Sequence, residues 1–482
     1  MIDGTDVTER AAAATLSAEL PAYQADQDRD GAAGNGRGDT ATAASPRVPE
    51  AIRRRLSVEI PGRPWVGWLS TVVIAAIAGI LRFVDLGFPS TKIFDEVYYA
   101  SEGAELLQHG VEWRADPDPT LPGYGDYVVH PPLGKWMIAA GIKIFGDNSY
   151  GWRFAGAVVG TLAVLILART ARRMFRSTVL GCTAGLLMAL DGMQLVLSRT
   201  AILDIFLMFW VLVAFACLVV DRDVRRRRWL RLMEAGLDPT VPGAAGRPRL
   251  SWSGVPWWRL GAAVAAGAAC GVKWSGIFFV PVFLLLVLVW EAGTRRIAGV
   301  ARPWRDTIID ESAWIGLFLV IMLGAYLASW TGWFVTDTGW KRHWLASHGK
   351  PEPFIIGALQ NLWEYHREVY AFHAQLDDKH QYQSWPWQWL LLGRPVAFYY
   401  NGDPVCGATS CSAEIILLGT PALWWSFIPA LLAMGWFGVS RRDWRAPAIA
   451  LGAAAGILPW FYYQAKHRTM FYFYAIPSEP FL

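Results

Sequence analysis

Two adjacent acids, Asp95 and Glu96, are the first candidates for catalysis. They open the segment KIFDEVYYASEGAELL, in which Val97 and Ala100 begin a helical spacing of apolar residues, so both acids would lie at a helix N-terminus. Acids in that position often only cap the helix and complement its dipole. A carboxylate here could instead remove the proton of a reacting hydroxyl. We favour catalysis because the pair follows closely after an apolar run, where a lipid-linked substrate would present its headgroup.

Basic residues at the ends of apolar runs are candidates for binding the phosphate of such a substrate. They are Arg153 in YGWRFAG, Arg199 in SRTAILD and Lys273 in GVKWSG. A charge at membrane depth costs about 2.5 to 3.5 kcal/mol, so each should have a partner. Arginine is the natural bidentate phosphate ligand. Arg199 could pair with Asp191 or Asp204 instead, whereas Arg153 has no acid in its own run and is the better phosphate candidate.

His130 and Lys135 flank the start of a short apolar segment in VVHPPLGKWMIAAGIKIFG. Two prolines break the chain before Leu133, and the segment that follows is too short to span a bilayer comfortably, which predicts an interfacial helix. Both residues are further candidates for the donor phosphate. The alternative is headgroup anchoring by snorkelling, and this alternative applies above all to Lys135.

Three histidines in a polar segment, His366, His373 and His380, recur every seven residues and would fall near one helix face. Such a row would suit a metal site. Seven residues span two full turns, however, and the His or Glu at i+4 that zinc sites use is missing. We therefore predict no metal. The aromatic surroundings suit a sugar or an extended peptide at least as well.

The five cysteines divide into two groups. Cys182, Cys217 and Cys270 fall inside apolar runs, where a thiol behaves as a small hydrophobe. Cys406 and Cys411 form a C-x4-C pair in a polar segment that we predict to lie outside the membrane. There a disulfide between them is expected.

The composition predicts an all-α polytopic membrane protein. Of 482 residues 54% are hydrophobic and 27 are Trp, and the mean hydropathy is +0.27, which is too apolar for a soluble globular chain. No nucleic-acid partner is expected. Nine runs approach the length of a spanning helix. They lie at about 65–84, 150–168, 179–190, 202–220, 260–272, 277–290, 314–334, 415–439 and 447–463.

Clusters of Lys and Arg set the predicted orientation. RTARRMFR, DRDVRRRRWLR, RRIAGVARPWR and SRRDWR all fall on one side, which the positive-inside rule makes cytoplasmic. Both long polar segments then face outward, so chemistry is expected at the outer face. The predicted divisions are a disordered cytoplasmic tail at 1–60, a transmembrane core at 61–334 with a first outer loop at about 85–149, a second outer loop at 335–413, and C-terminal spans at 414–482.

Five ordered motifs, FDEVYYA, HPPLGKW, SRTAILD, GVKWSG and PWQWLLLGRPVAFYY, together resemble the protein O-mannosyltransferase family, of an actinobacterial type. The resemblance runs from about Trp65 to the end of the chain. It implies a GT-C glycosyltransferase fold with two outer loops. It also implies a polyprenyl- or dolichyl-phosphate-mannose donor and Ser/Thr acceptors on exported polypeptides. In that family Asp95 and Glu96 would lie at the catalytic centre and Arg153 near the donor phosphate.

Two departures from the family pattern stand out. The second outer loop is too short for the lectin-like module of eukaryotic relatives, so acceptor recognition is expected to rest on the loop itself. The family has about eleven spans against nine here, so we expect a chain that lacks its last C-terminal spans.

The expected mechanism needs one base and cations, without a metal or cofactor. In a sugar-linked phosphodiester the polyprenyl phosphate leaves without a general acid, so Asp95 would deprotonate the acceptor while cations stabilise the departing phosphate. Glu96 points elsewhere on a helix and would hold sugar hydroxyls or the acceptor backbone. The donor's β-linkage, implied by the family, would invert to α.

Two rival functions remain open. One is a GT-C enzyme acting on a lipid or cell-wall glycan, and the less favoured one is a transporter, for which ionisable residues would gather at mid-membrane. The expected setting is the plasma membrane, with the lipid bilayer, the lipid-linked donor, the exported polypeptide and the protein export machinery as partners.

Overall fold

A computed structural model describes residues 48–118, 120–241, 254–402 and 407–482. Eighteen α-helices and four short strands lie in these ranges. The helices are α1 (Glu50–Leu56), α2 (Pro64–Phe83), α3 (Glu96–His109), α4 (Leu133–Phe145), α5 (Ser149–Phe175), α6 (Thr178–Leu190), α7 (Gly192–Ser198), α8 (Leu203–Glu234), α9 (Trp257–Val272), α10 (Phe279–Ala298), α11 (Pro303–Ser329), α12 (Thr331–Val335), α13 (Trp344–Ser347), α14 (Phe354–Gln375), α15 (Pro386–Trp389), α16 (Pro421–Arg441), α17 (Arg445–Ile457) and α18 (Pro459–Ala465). The strands are β1 (Trp113–Arg114), β2 (Tyr124–Gly125), β3 (Val396–Asn401) and β4 (Ala413–Leu417), and 3₁₀ helices occupy Trp274–Phe278 and Tyr472–Phe481.

Seven helical segments in the described ranges are long and apolar enough to cross a membrane. The bent pair of α6 and α7, which turns by 65°, would be an eighth. Each of the nine predicted runs contains a helix, but α9 has only 16 residues, too few to span alone. These segments make the chain a multi-pass membrane protein.

Helix α8 is the most buried of the seven, and α9 packs along it. Small residues make this close approach possible, because Ala and Gly let helix backbones come together. At Gly267 of α9, an added Cβ would lie 2.3 Å from the Met322 carbonyl oxygen of α11. The C-terminal 3₁₀ helix is also buried here, where the Phe481 ring lies 4.9 Å from that of Phe215 in α8.

The two segments predicted as outer loops contain ordered structure. Between α2 and α5 lie α3, α4 and the antiparallel pair β1–β2. Between α11 and α16 lie four helices, including the 22-residue α14, and the antiparallel pair β3–β4. The predicted span at 415–439 began too early, because Ile415 lies in β4, where it pairs with Tyr399 of β3, and the helix begins at Pro421.

The predicted disordered tail was drawn too long. Residues 50–56 form α1, and Leu56 is fully buried in a cluster with Trp229, Met233 and Ala298. The tail's residues 1–47 lie outside the described part of the chain.

Candidate active site

The carboxylate of Asp95 is free of the helix that it precedes. Its side chain makes no capping hydrogen bond to α3, and it has no hydrogen-bond or ion-pair partner elsewhere in the described ranges. The structure therefore contradicts the capping interpretation for this residue. Asp95 is half-buried, so its carboxylate is accessible without being fully solvated.

The residue on one side of Asp95 is held by aromatic packing. Phe94 has a φ of 48°, a left-handed conformation that bulky side chains rarely adopt. Its ring stacks on Phe398 with 4.4 Å between centroids and meets Phe471 and Phe473 edge-on. Such conformations cost about 1 to 3 kcal/mol and persist where the surroundings enforce them, often at functional sites.

The residue on the other side, Glu96, is fully buried and clamped by Arg153. Nε and Nη2 of Arg153 each donate to one Glu96 oxygen at 2.8 Å. The backbone N–H groups of Ile93 and Ala201 donate to the same carboxylate at 3.0 and 2.9 Å. Four donors leave Glu96 no role as a direct ligand of sugar hydroxyls or acceptor backbone in this geometry, which corrects the expectation for this acid.

Arg153 is equally committed, which corrects its expected contact with a phosphate. Its remaining donors bind the carbonyl oxygens of Pro89 at 2.8 Å, Thr91 at 3.1 Å and Leu86 at 3.3 Å. All five guanidinium donors are thus used, and the side chain is fully buried. Arg153 positions the loop that carries Asp95.

Lys135 also has a structural role here. Its buried Nζ contacts the carboxylates of Glu112 and, at 3.3 Å, Glu102. The ammonium therefore ties α4 to α3 and to the segment after it, rather than reaching a phosphate or a lipid headgroup.

Arg199 binds the C-terminal carbonyls of α2. Nη1 donates to Leu81 at 2.8 Å and to Val84 at 2.6 Å, and Nη2 donates to Asp85 at 3.0 Å. Unpaired carbonyls at a helix C-terminus are natural partners for a cation. This arrangement replaces both earlier interpretations, phosphate binding and pairing with Asp191 or Asp204.

Lys273 remains at the site, paired with an acid. It directly follows α9, and its Nζ lies 2.6 Å from Oδ2 of Asp204 in the first turn of α8. Both residues lie close enough to Asp95 for their charges to shift its pKa. Burial raises the pKa of Asp95 to about 6, the Lys273 charge lowers this pKa and the Asp204 charge raises it.

Lys273 and Asp204 line a cavity of roughly 560 Å³. Its walls are basic and aromatic, a combination suited to a sugar phosphate. The other lining residues include His130, Trp274, Tyr370, His373, Trp460, Tyr463, Lys466, Arg468 and Tyr474.

Arg468 has spare hydrogen-bonding capacity in this cavity. Nη2 donates to Nδ1 of His373 at 3.1 Å, and Nη1 donates to the Thr469 carbonyl at 3.3 Å. Three of its five donors have no partner within the described ranges. The guanidinium lies 5.7 Å from the ring centre of Trp460.

His373 holds Arg468 in place as a neutral ring. Its Nε2–H donates to the Val129 carbonyl at 3.1 Å, which leaves Nδ1 as the acceptor for Arg468. Burial and the Arg468 charge lower the pKa of His373 to about 4. His130 lies beside it, with 5.5 Å between ring centres, and burial and nearby cations hold the pKa of His130 well below its usual range.

Arg468 was not singled out from the sequence, whereas His373 was considered only as one of three spaced histidines and Asp204 only as a possible partner of Arg199. One signal was available for Arg468. The run KHR follows the last apolar run at a side predicted to be external, and basic residues at external ends of runs were the criterion that selected Arg153. His373 and Asp204 carry no such signal, because their roles depend on distant partners.

The three histidines that recur every seven residues do not share a site. His366 contacts the Tyr326 hydroxyl, His373 binds Arg468, and His380 packs on Phe471. Within the described ranges no three His, Cys, Asp or Glu side chains converge as metal ligands.

Of the predicted disulfide pair, Cys411 is disulfide-bonded. Cys406 lies outside the described residues, so the pairing itself stays a prediction. Cys182, Cys217 and Cys270 are free thiols.

Comparison with known proteins finds two matching family descriptions and several relatives. Residues 72–238 match the family described as dolichyl-phosphate-mannose-protein mannosyltransferase, and residues 358–480 match the C-terminal four TMM region of protein-O-mannosyltransferase. The chain is 42% identical over 431 residues to the polyprenol-phosphate-mannose--protein mannosyltransferase of Mycolicibacterium smegmatis, covering 86% of this chain and 80% of that protein. Identity to the protein of the same name from Mycobacterium tuberculosis is 41% over 430 residues, covering 86% and 79%.

The fold has a solved counterpart. The structure superposes on a chain of the S. cerevisiae protein O-mannosyltransferase Pmt1–Pmt2 complex bound to the sugar donor, with a TM-score of 0.62 and 13% identity. The match covers 89% of this chain and 85% of that one. The predicted GT-C architecture is confirmed, and the sequence identities show that this chain belongs to the dolichyl-phosphate-mannose-protein mannosyltransferase family.

Proposed function

We propose that this protein transfers mannose from a polyprenyl-phosphate carrier to Ser or Thr hydroxyls of exported polypeptides, at the outer face of the plasma membrane. The observation that carries the proposal is the free carboxylate of Asp95. It is held between the packed Phe94 and the clamped Glu96, beside Lys273 at the basic cavity.

The lipid-linked donor is supported by the cavity and by the relatives. The M. smegmatis and M. tuberculosis proteins are named for polyprenol-phosphate-mannose. Lys273 and Arg468 provide positive charge for a phosphate, and Arg468 has free donors for bidentate binding. Trp460 and Tyr474 provide ring faces for a sugar.

The proposed step is a single displacement. The acceptor hydroxyl oxygen attacks C1 of mannose, the bond from C1 to the phosphate oxygen breaks, and its electron pair leaves with the polyprenyl phosphate. Asp95 takes the hydroxyl proton, and Lys273 and Arg468 stabilise the phosphate anion. One displacement inverts the configuration at C1. Glu96 and Arg153 act as positioning residues.

The outer-face assignment rests on charge distribution. The basic segments between apolar runs fall on the side opposite to the Asp95 loop, and basic segments mark the cytoplasmic side. Exported chains are the polypeptides available at the outer face. Association with the export machinery stays a prediction.

Replacing Asp95 tests the proposal. Asp95→Asn keeps the size of the side chain but cannot take a proton, so transfer should fall by about 10² to 10⁴. The assay follows labelled mannose from polyprenyl-phosphate-mannose to a Thr-rich peptide in membranes, with expression measured in parallel. Asp377→Asn, at an exposed acid of the second loop, is the matched control and should stay active. Full activity in Asp95→Asn would place the base elsewhere.

A further inference from the structure

The end of α5 farthest from Asp95 carries a second cavity, a groove of roughly 350 Å³. Its walls are apolar and come from spanning helices, with Leu165 and Ile166 on α5 and Val213, Ala216 and Val220 on α8. Three arginines of α5, Arg169, Arg172 and Arg173, lie at one end of the groove. We call this feature the arginine groove.

Arg172 is buried in the arginine groove without a counter-ion. Its side chain is only 4% exposed. Nε donates to the Thr178 hydroxyl at 2.9 Å, and within the described ranges neither Nη1 nor Nη2 has a hydrogen-bond partner and no carboxylate forms an ion pair with it. A buried charge is normally paired, because leaving it unpaired is costly. The guanidinium therefore lacks an anion.

The neighbouring cations are not balanced either. Arg169 donates to the Gly67 carbonyl at 3.1 Å and lies over the Trp68 ring at 3.7 Å, without an acidic partner in the described ranges. Arg173 contacts Oδ2 of Asp223 at 3.0 Å, but that carboxylate also binds Arg222 at 3.2 Å.

The arginine groove and the catalytic site lie at opposite ends of α5. Arg172 follows Arg153 by nineteen residues on one continuous helix, which is about 28 Å at the α-helical rise. That distance is close to the hydrocarbon thickness of a bilayer. The arginine groove thus lies at the membrane surface opposite to the Asp95 loop and cannot be part of the donor site.

We propose that the arginine groove binds one anionic phospholipid of the leaflet opposite to the active site. The phosphate would take the free donors of Arg172 and Arg169, and an acyl chain would lie along Ile166 and Ala216. Two features favour a lipid over a soluble anion. The walls are apolar, and they belong to membrane-spanning helices, so they lie at the depth of the acyl chains. Clusters of arginine at a membrane surface bind anionic headgroups.

Native mass spectrometry of the full chain in detergent tests this proposal. The probes are phosphatidylglycerol, phosphatidylcholine with the same acyl chains, and glycerol phosphate. One phosphatidylglycerol should bind at least about tenfold more tightly than either other probe, as expected for charge-assisted hydrogen bonds combined with chain burial. Equal binding of phosphatidylcholine, or equal binding of glycerol phosphate, would overturn the assignment to an anionic lipid.

Two variants locate the site. Arg172→Gln removes the charge, and Ala216→Trp fills the apolar part while leaving every arginine in place. Each should weaken phosphatidylglycerol binding about tenfold or more. Arg54→Gln, at an exposed arginine of α1 paired with Glu50, is the control and should bind normally. Unchanged binding in both Arg172→Gln and Ala216→Trp would refute the arginine groove, and melting curves identify any variant that fails to fold.

Discussion

The pH dependence of transfer should report the environment of Asp95. Burial raises the pKa of this carboxylate to about 6, whereas an ordinary aspartate has a pKa of about 3.9. The carboxylate is the active form, so activity is lost as pH falls through its pKa. At pH 5 a group of pKa about 6 is only about one-tenth ionised, while an ordinary aspartate stays over about nine-tenths ionised. We therefore expect kcat/KM to fall about tenfold between pH 7 and pH 5.

The fall of kcat/KM on the acid side is the acid limb of the pH profile. Asp204→Asn should move this limb to lower pH. The Asp204 charge raises the pKa of Asp95, and the same acid pairs with Lys273, whose charge lowers that pKa. Removing the Asp204 carboxylate therefore removes its repulsion of the Asp95 carboxylate and frees the charge of Lys273. Both effects lower the pKa of Asp95. An asparagine can still accept the Lys273 hydrogen bond, but it leaves the buried ammonium without a counter-charge, so the melting temperature is measured alongside.

The assay is transfer of labelled mannose from polyprenyl-phosphate-mannose to a Thr-rich peptide, with kcat/KM measured from pH 4.5 to 8. The quantity compared between variants is the midpoint pH of the acid limb. The maximal kcat/KM is not compared, because Asp204→Asn can change the rate for other reasons. Asp377→Asn should leave the limb near pH 6. A wild-type limb near pH 4 would refute the raised pKa of Asp95, and a limb that Asp204→Asn moves upward would refute Asp95 as the titrating base.

Three further predictions follow from the contacts. Arg153→Lys keeps the charge but cannot reproduce the two-point clamp on Glu96 or the three carbonyl contacts, so it should lower the melting temperature and abolish transfer together. Each buried acceptor left unpaired costs about 1 to 3 kcal/mol. Normal melting with lost transfer would restore a phosphate role for Arg153. Arg468→Gln should raise KM for the lipid donor at least about tenfold without changing KM for the peptide, as measured by steady-state kinetics. Non-reducing peptide mapping should recover Cys406 and Cys411 in one linked fragment, and two free thiols would contradict that pairing.

The sequence was most informative where one segment carries the signal by itself. Apolar runs predicted a helix in all nine places, and the five motifs predicted the GT-C fold. Membrane spans were less predictable where a run is apolar but too short to cross a bilayer. The run at 260–272 is a 16-residue helix whose alanines pack against α8 and α11, so its hydropathy reflects helix packing more than lipid exposure.

Side-chain roles were less predictable because they depend on residues far away in the chain. Arg153 has no acid within its own run, which made a phosphate the natural partner. Its actual partner is Glu96, 57 residues earlier. Lys135 likewise binds Glu112, 23 residues earlier. A cation at membrane depth does need a partner, as predicted, but the sequence does not distinguish an internal carboxylate from a substrate's phosphate.

The adjacent acids Asp95 and Glu96 show how a local rule can select between two similar residues. Successive positions at a helix start are rotated by about 100°, so one carboxylate points into the protein while the other points away. Glu96 enters the core and meets Arg153, and this clamp then fixes the backbone of its neighbour. Phe94 fixes the other side through its stack on Phe398. Asp95 therefore needs no bond of its own to be held in place, which leaves its carboxylate available for an acceptor hydroxyl.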